Sequence, residues 1–399
     1  MLWYCREISW QMEEVTISTV SIYLDNNATT RPFKEVRMAM LEALEFSYGN
    51  ASSAHSLGHR SRNNITAARD SLAKLIGAHP EQIIFTSGGT EANNQVILSV
   101  ASAVQKSMHI ITSTVEHSSI LNTCKHLQET KGAQVTYLQV DSNGIIDIEE
   151  FKRAFNEQTS LVSIQWINNE TGVIQNIKSI GLICRDQGVT FHTDAAQAVG
   201  KIPMYVSSLP IDFVTCTAHK IHGPQGVGAI YAKDPTRLKH LLFGGPQELE
   251  LRSGTENLIG IVGFGVAASM RNKNLTENIS YMCQIRNLLE GNIKKAIPLI
   301  KINGGNAERV CNTSNILFPD IEGFSLVAQL DRLGIQCSQS SACTNQRPEP
   351  SYVLRAMGLT EDEAFASIRF CVSSETMENE IEKAVECIIQ CWHNLALRA

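Results

Sequence analysis

"LVSIQWINNETGVIQNIKSIGLICRDQGVTFHTD", residues 161–194, decides how the chain folds. Its first run (161–168) is rich in β-branched and aromatic residues and reads as a strand. "IKSIGLICRDQG" (177–188) is amphipathic at helical spacing and closes on a Gly suited to a helix C-terminus. "VTFHTD" (189–194) is again a strand. Strand, helix, strand predicts a parallel sheet covered on both faces. The same alternation runs from Ile22 to about Pro235, with strands expected at 82–87, 109–114, 134–140 and 211–218 and a helix in "HSSILNTCKHLQETKG" (117–132). Ligands of such sheets bind beyond the carboxyl ends of the strands, so the polar residues ending these runs are where chemistry is sought.

After about Ala268 the pattern shifts to longer helices with a few strands, as in "ENISYMCQIRNLLEGNIKKAI" and "ENEIEKAVECIIQCWHNLAL". The expectation is an α/β protein with a large domain over 22–268 and a smaller α+β domain over 269–399. Residues 1–21 are expected to form an extension that packs on the smaller domain. At 399 residues the chain is long enough for two such units. It shows no internal repeat.

Composition is that of an ordinary globular protein, 43% hydrophobic and 19% charged. A formal net charge of -6 gives no sign of a nucleic-acid-binding surface. No apolar run approaches the roughly 18 residues that suggest a membrane span. The N-terminus lacks a basic start with an apolar stretch, and Glu7, Glu13 and Glu14 argue against a transit peptide. The 11 cysteines have neither zinc-site spacing nor a disulfide framework, so no metal site is expected. Cys387 and Cys391 read as core-facing thiols on a helix. Thiols used this way fit a reducing cytoplasm.

Three strand ends carry chemistry. "IIFTSGGTEANN" runs a strand into Ser87-Gly88-Gly89-Thr90 and then a helix, whose free N–H groups favour an anion. The plain alternative is a tight turn with Thr90 as helix cap. It is neither a Walker A loop nor a Rossmann glycine fingerprint. "FHTDAAQAVG" places Asp194 at a strand end with Gln197 behind it. "VTCTAHKIHGPQGVGAIYA" places His219 and Lys220 after another strand and before a Gly-rich hairpin; burial there depresses a lysine and frees its amine. A lone Lys beside a His is ordinarily surface charge. Together, an anion cradle, a carboxylate and a buried amine match the needs of pyridoxal phosphate.

In order along the chain stand "YLDNNATT", "GNASSAH", "FTSGGTEANN", "TSTVEHSSIL", "INNETGVIQ", "HTDAAQAVGK", "AHKIHGPQGVGA", "RSGT", "SSACT", "EPSYVLRAMG" and "SIRF". With these motifs the chain resembles the pyridoxal-phosphate-dependent cysteine desulfurases, NifS/IscS-like enzymes of the class V aminotransferase fold (fold type I). The resemblance covers nearly everything after Leu24. It implies that Lys220 holds the cofactor as a Schiff base, Asp194 pairs with the ring nitrogen, and Gln197 hydrogen-bonds the ring oxygen. It further implies that His117 stacks on the ring and shuttles protons, and that Asn169 lies beside cofactor and substrate. Gly89, Thr90, Thr217 and His219 would be phosphate ligands, with Thr255 reaching the phosphate across a homodimer interface. Arg369 would grip the carboxylate of L-cysteine.

Cys343 corresponds to the family's catalytic cysteine. The resemblance implies that its thiolate takes sulfur from a ketimine of the substrate, leaving an enzyme persulfide and L-alanine, and delivers it to a protein acceptor. An ordinary thiol, with a pKa of about 8.5, needs a neighbouring base such as His117 for this. Acceptors of this kind serve iron–sulfur cluster assembly, tRNA thiolation or DNA phosphorothioation.

Three departures stand out. "GGPQELELRSGT" has Pro246, Leu249 and Glu250 where the family pattern is "GGGQERGxRSGT". Cys371 follows "SIRF" where Ser is usual. The loop reads "ACTNQRPEPSYVL" where a Thr-Ser step is more usual. The rival functions are a selenocysteine lyase, an ordinary class V aminotransferase, and a non-catalytic or partner-dependent sulfur-relay subunit.

Overall fold

The computed structural model of the protein describes residues 21–104, 107–339 and 349–397. The strands are β1 (Ile22–Tyr23), β2 (Ile83–Thr86), β3 (His109–Ser113), β4 (Gln134–Leu138), β5 (Thr159–Ser163), β6 (Thr190–Asp194), β7 (Phe213–Thr217), β8 (Gly228–Ala232), β9 (Lys301–Ile302), β10 (Thr313–Leu317), β11 (Ile335–Gln336) and β12 (Ser367–Cys371). The helices are α1 (Lys34–Phe46), α2 (Ser56–Ile76), α3 (Gly89–Ala103), α4 (Ser118–Lys131), α5 (Ile148–Arg153), α6 (Ile177–Asp186), α7 (Leu258–Lys273), α8 (Leu275–Ala296), α9 (Gly323–Arg332), α10 (Tyr352–Ala356), α11 (Glu361–Phe365) and α12 (Glu378–Ala396).

Seven strands form the central sheet in the order β2-β8-β7-β6-β5-β3-β4. Only β8 runs against the rest, because it pairs antiparallel with both β2 and β7. Every residue of β3, β6, β7 and β8 is buried, as a sheet covered on both faces requires. Between β5 and β6 lies α6, started by the Asn176 side chain accepting from the Ser179 N–H and followed by Gly188 at φ 66°. The Gly predicted from sequence thus supplies the left-handed turn that ends this helix.

Two readings need correction. The strand expected at 161–168 ends at Ser163, and the chain turns back through a loop closed by Asn168, whose Oδ1 accepts from the N–H groups of Glu170 and Thr171 at 2.9 Å each. A polar Asx turn overrides the strand propensity of "QWI". "GAIYA", read only as part of a hairpin, is a full strand inside the sheet.

A second, antiparallel sheet has the order β12-β10-β9, and β1 pairs in parallel with β11 beside it. Helix α12 packs on α8 and α9. Residues 268 and 269 both lie within α7, which packs on α1 and α2. The principal core is continuous between the two sheets and includes Leu24, Phe191, Phe264, Phe318 and Phe370. Cys391 is in that core and Cys387 packs against it.

Candidate active site

The carboxyl ends of β2, β6 and β7 meet the start of α3. Gly88 caps α3 through its backbone, with no side chain satisfying the first N–H groups. Thr90 therefore lies inside the first turn and is not its cap. An added Cβ at Gly89 would stand 4.0 Å from the Thr217 Cβ, so strand end and helix start face one another. Thr217 Oγ1 is buried and has no hydrogen-bond partner among the described residues. A helix N-terminus with spare N–H groups and an orphaned hydroxyl beside it fit an anion such as a phosphate.

Asp194 ends β6, 9% exposed. Its Oδ2 accepts from Asn93 Nδ2 at 2.8 Å and its Oδ1 from the Ala196 N–H at 2.9 Å. Two residues earlier on the same strand face, His192 bonds Ser163 and Thr215, and burial pushes it down to about 4. The residue under the carboxylate is thus neutral near pH 7.

Lys220 lies in a 3₁₀ turn after β7. Its Nζ donates to the carbonyls of Asn27 at 2.5 Å and Ala28 at 2.6 Å. Burial, reinforced by the Arg369 charge, lowers it to about 8 from 10.5. A usable fraction of free amine at neutral pH follows. Burial also lowers the adjacent His219 to about 4, and its Nδ1 lies 3.3 Å from Thr29 Oγ1. Gln197 Nε2 donates to the Asn27 carbonyl at 3.0 Å.

His117 caps α4: its Nδ1 accepts from the Ser119 N–H at 3.2 Å, which puts the neutral ring's proton on Nε2. Asn169 has a buried Oδ1 without a partner. Its backbone carbonyl accepts from Arg369 Nη1 and from Asn27 Nδ2, both at 3.1 Å. Arg369, 2% exposed on β12, bonds Asp25 Oδ1 at 2.7 Å through Nη2, and its Nε has no partner among the described residues. Spare guanidinium N–H groups of this kind suit an anion.

Thr255 is exposed and stands apart, lining a surface groove with Leu44, Tyr48, Asn50 and Ile65. Cys343 lies outside the described residues. The chain on either side of it is anchored: Gln339 Nε2 donates to the Phe365 carbonyl at 2.5 Å and Ser351 Oγ to Glu170 Oε2 at 2.5 Å. Tyr352 donates to the Glu116 carbonyl at 2.6 Å. Glu116 and Glu170 directly adjoin His117 and Asn169 in sequence.

Several contributors were not read from sequence. Asp25, Asn27 and Asn93 sit in quoted motifs, but only tertiary structure shows what they touch. Glu116 is fully buried, accepts from Ser113 Oγ and the Gln165 N–H, and is pushed up to about 8 by burial. Lys201, in "AVGK", is 2% exposed; a buried lysine could have been suspected from its small, apolar neighbours.

In the altered stretch, Glu248 and the two departures Leu249 and Glu250 form a left-handed run at φ 48°, 59° and 65°. Glu248 turns inward, bonding Arg69 at 2.6 and 2.9 Å and the Phe85 N–H at 2.7 Å. Arg252 reaches Glu91 at 2.8 Å, and Glu91 accepts from the Ser87 N–H. The altered stretch thus still braces the anion turn. Cys371 is fully buried, and burial raises its thiol.

An α/β sheet with a lysine, a strand-end carboxylate and an anion cradle at its carboxyl edge defines the class of fold-type-I pyridoxal-phosphate proteins. The family model for class-V aminotransferases matches residues 22–384. "Cysteine desulfurase 2" of Trichormus variabilis is 45% identical over 92% of this chain and 91% of its own length. "Cysteine desulfurase IscS" of Rickettsia africae is 41% identical over 93% of this chain and 90% of its own. A solved "NifS-like protein" superposes with a TM-score of 0.88 at 34% identity, covering 94% of this chain and all (100%) of that one. The chain belongs to the class-V aminotransferase family, in its NifS/IscS-like branch.

Proposed function

We propose that the protein is a pyridoxal-phosphate-dependent cysteine desulfurase that converts L-cysteine to L-alanine and passes the sulfur on from a persulfide at Cys343. The observation that carries this reading is the pairing of a half-buried lysine amine with a buried guanidinium at one site. The Lys220 amine suits the cofactor and the Arg369 guanidinium suits an α-carboxylate, and both are braced on the 25–28 segment. The names of the relatives point the same way.

When bound, pyridoxal phosphate supplies an aldehyde for an amino group and an electron-withdrawing ring that loosens bonds around the substrate's α-carbon. Asp194 would hold the ring nitrogen's proton, Gln197 would face the ring oxygen, and Gly89, Thr90, Thr217 and His219 would hold the phosphate. Lys220 Nζ would take up and return the α-proton, and His117 Nε2 would carry a second one. Asn169 and Arg369 would orient the substrate. At Cys343 the balance is closed: the substrate's C–S bond breaks and an S–S bond forms. Of the two thiol hydrogens one stays on the persulfide and the other ends on the alanine methyl, so no outside oxidant is needed.

The exposed apolar side chains of Met38, Leu41, Leu44, Phe46 and Tyr48 on and after α1 support a homodimer, since the stripe runs into the groove holding Thr255. A protein sulfur acceptor is the expected further partner, serving iron–sulfur assembly, tRNA thiolation or DNA phosphorothioation, with no direct nucleic-acid or membrane contact. Among the described residues no helix is long and apolar enough to cross a membrane. The described cysteines are free thiols, which supports a cytoplasmic setting.

Incubation with L-cysteine followed by mass spectrometry of the Cys343 peptide tests the reading. A gain of about 32 Da with stoichiometric alanine supports it. Alanine release that survives Cys343→Ala removes it. Selenocysteine turnover without cysteine turnover by the wild type would mark a lyase, amino transfer to a keto acid an aminotransferase, and no turnover without a second protein a relay subunit.

A further inference from the structure

Beneath the cofactor site lies a buried lysine with no acidic partner. Lys201 Nζ bonds Gln197 Oε1 at 2.6 Å and Asn27 Oδ1 at 3.1 Å, and no carboxylate pairs with it among the described residues. We propose that Lys201 is a positioning residue that clamps the Gln197 amide oxygen, and so holds the Gln197 NH₂ group toward the cofactor's ring oxygen. The inference rests on the cofactor reading above.

The argument is one of donors and acceptors. A lysine ammonium donates and cannot accept, so the amide atoms touching it must be oxygens. The NH₂ group of Gln197 therefore faces the other way. One of its N–H groups reaches the Asn27 carbonyl at 3.0 Å, and the other is left free among the described residues for a ligand acceptor. For Asn27 the same logic holds. Its Oδ1 also accepts from Asn312 Nδ2 at 3.1 Å, and its NH₂ donates to Thr313 Oγ1 at 2.8 Å and the Asn169 carbonyl at 3.1 Å. The Asn27 backbone carbonyl in turn receives Lys220 Nζ.

Take Lys201 away and Gln197 keeps, among the described residues, only the Asn27 carbonyl as a partner, so its amide pivots about that single bond and its free N–H is no longer held toward the ring oxygen; Asn27 stays oriented by the Asn169 carbonyl and Asn312. Burial lowers Lys201 to about 7, so the ammonium that demands oxygens around it prevails below pH 7, and the neutral amine above it keeps two N–H donors for the same two oxygens without demanding them.

The test measures dissociation of pyridoxal phosphate from full-length holoenzyme in the wild type, Lys201→Met, Gln197→Leu and the double variant. Loss of one charge-assisted hydrogen bond predicts that Lys201→Met weakens retention by about tenfold or more. In the Gln197→Leu background the same change should add less than about twofold, because the partner it orients is gone. An equal loss in both backgrounds, or none in either, overturns the proposal and leaves Lys201 a packing residue. Should Lys201→Met fail to fold, Lys201→Gln replaces it in the cycle; its shorter amide reaches only one of the two oxygens, and the same non-additivity is expected. A wild type that takes up no pyridoxal phosphate at all would instead sink the cofactor reading, which keeps the two failures distinct.

Discussion

Replacing Gly228 by alanine should damage the anion cradle from behind. A Cβ at this position would lie 2.6 Å from the Gly88 carbonyl carbon, 2.7 Å from its Cα and 2.9 Å from the Cys216 oxygen. Carbon atoms in contact sit about 3.5–4.0 Å apart, so roughly 1 Å must open somewhere. Strand β8 cannot retreat sideways, because it is hydrogen-bonded to β2 and β7 on either edge, with Gly228 opposite both Thr86 and Thr217. The turn at Gly88 has the most freedom, and it carries the start of α3. Overpacking of this kind costs about 1–3 kcal/mol. If the turn absorbs most of it, retention of pyridoxal phosphate falls about tenfold for each 1.4 kcal/mol borne there. Urea unfolding and cofactor dissociation, measured side by side, read both effects. Gly291→Ala is the control: it lies in α8 with nothing within 4 Å of an added Cβ, and it should stabilise by up to about 1 kcal/mol. Wild-type stability together with wild-type cofactor retention in Gly228→Ala would refute the steric argument.

Three other outcomes are expected. Glu116 is raised from 4.5 to about 8 by burial, so its stabilising contribution is full below pH 4.5 and disappears as pH climbs through 8; against Glu116→Gln, which mimics the protonated acid, the wild type should lose urea resistance between pH 5 and pH 8, and parallel curves would contradict this. Glu250→Gly removes a side chain held at φ 65°; relief of the left-handed strain, about 1–2 kcal/mol, outweighs glycine's extra unfolded-state entropy of about 0.5–1 kcal/mol, so the unfolding midpoint should rise slightly. Leu41→Glu, at a residue 59% exposed in the apolar stripe of α1, should shift the protein from dimer to monomer in sedimentation velocity while leaving its far-UV circular dichroism intact.

The parts legible in the sequence are those specified locally. Strand–helix alternation placed β2 to β7 within a few residues, and the turn after "IIFTS" and the ends of "FHTD" and "VTCT" lie together because parallel strands deliver their carboxyl ends to one edge. Residues 164–168 were misread because an Asx turn is a side-chain effect that strand propensity does not register. β8 was not counted as a strand because its short apolar run follows three glycines and a proline, the composition of a turn. Lys201 and Asn27 could not be linked at all: their bond spans 174 positions, and nothing in either neighbourhood foretells it.

That last gap has a structural cause. Residues 22–30 act as a strap between the two sheets, and their partners lie far along the chain. Ile22 and Tyr23 pair with β11, and Asp25 bridges to Cys371 on β12. A few residues on, Asn27 and Ala28 give their carbonyls to Lys220, and Thr30 exchanges hydrogen bonds with the backbone around His219 and His222. The Asp25 side chain meanwhile holds Arg369. The separation between the Arg369 guanidinium and the Lys220 amine is therefore set by a few residues of a third segment bonded to both. A short strap bonded at both ends is stiff. A polar residue serves here because one amide can donate and accept at once: Asn27 donates to Asn169 and Thr313 and accepts from Lys201 and Asn312, which no apolar side chain can do. The amide at position 27 is thus explained by the geometry of the site it spans.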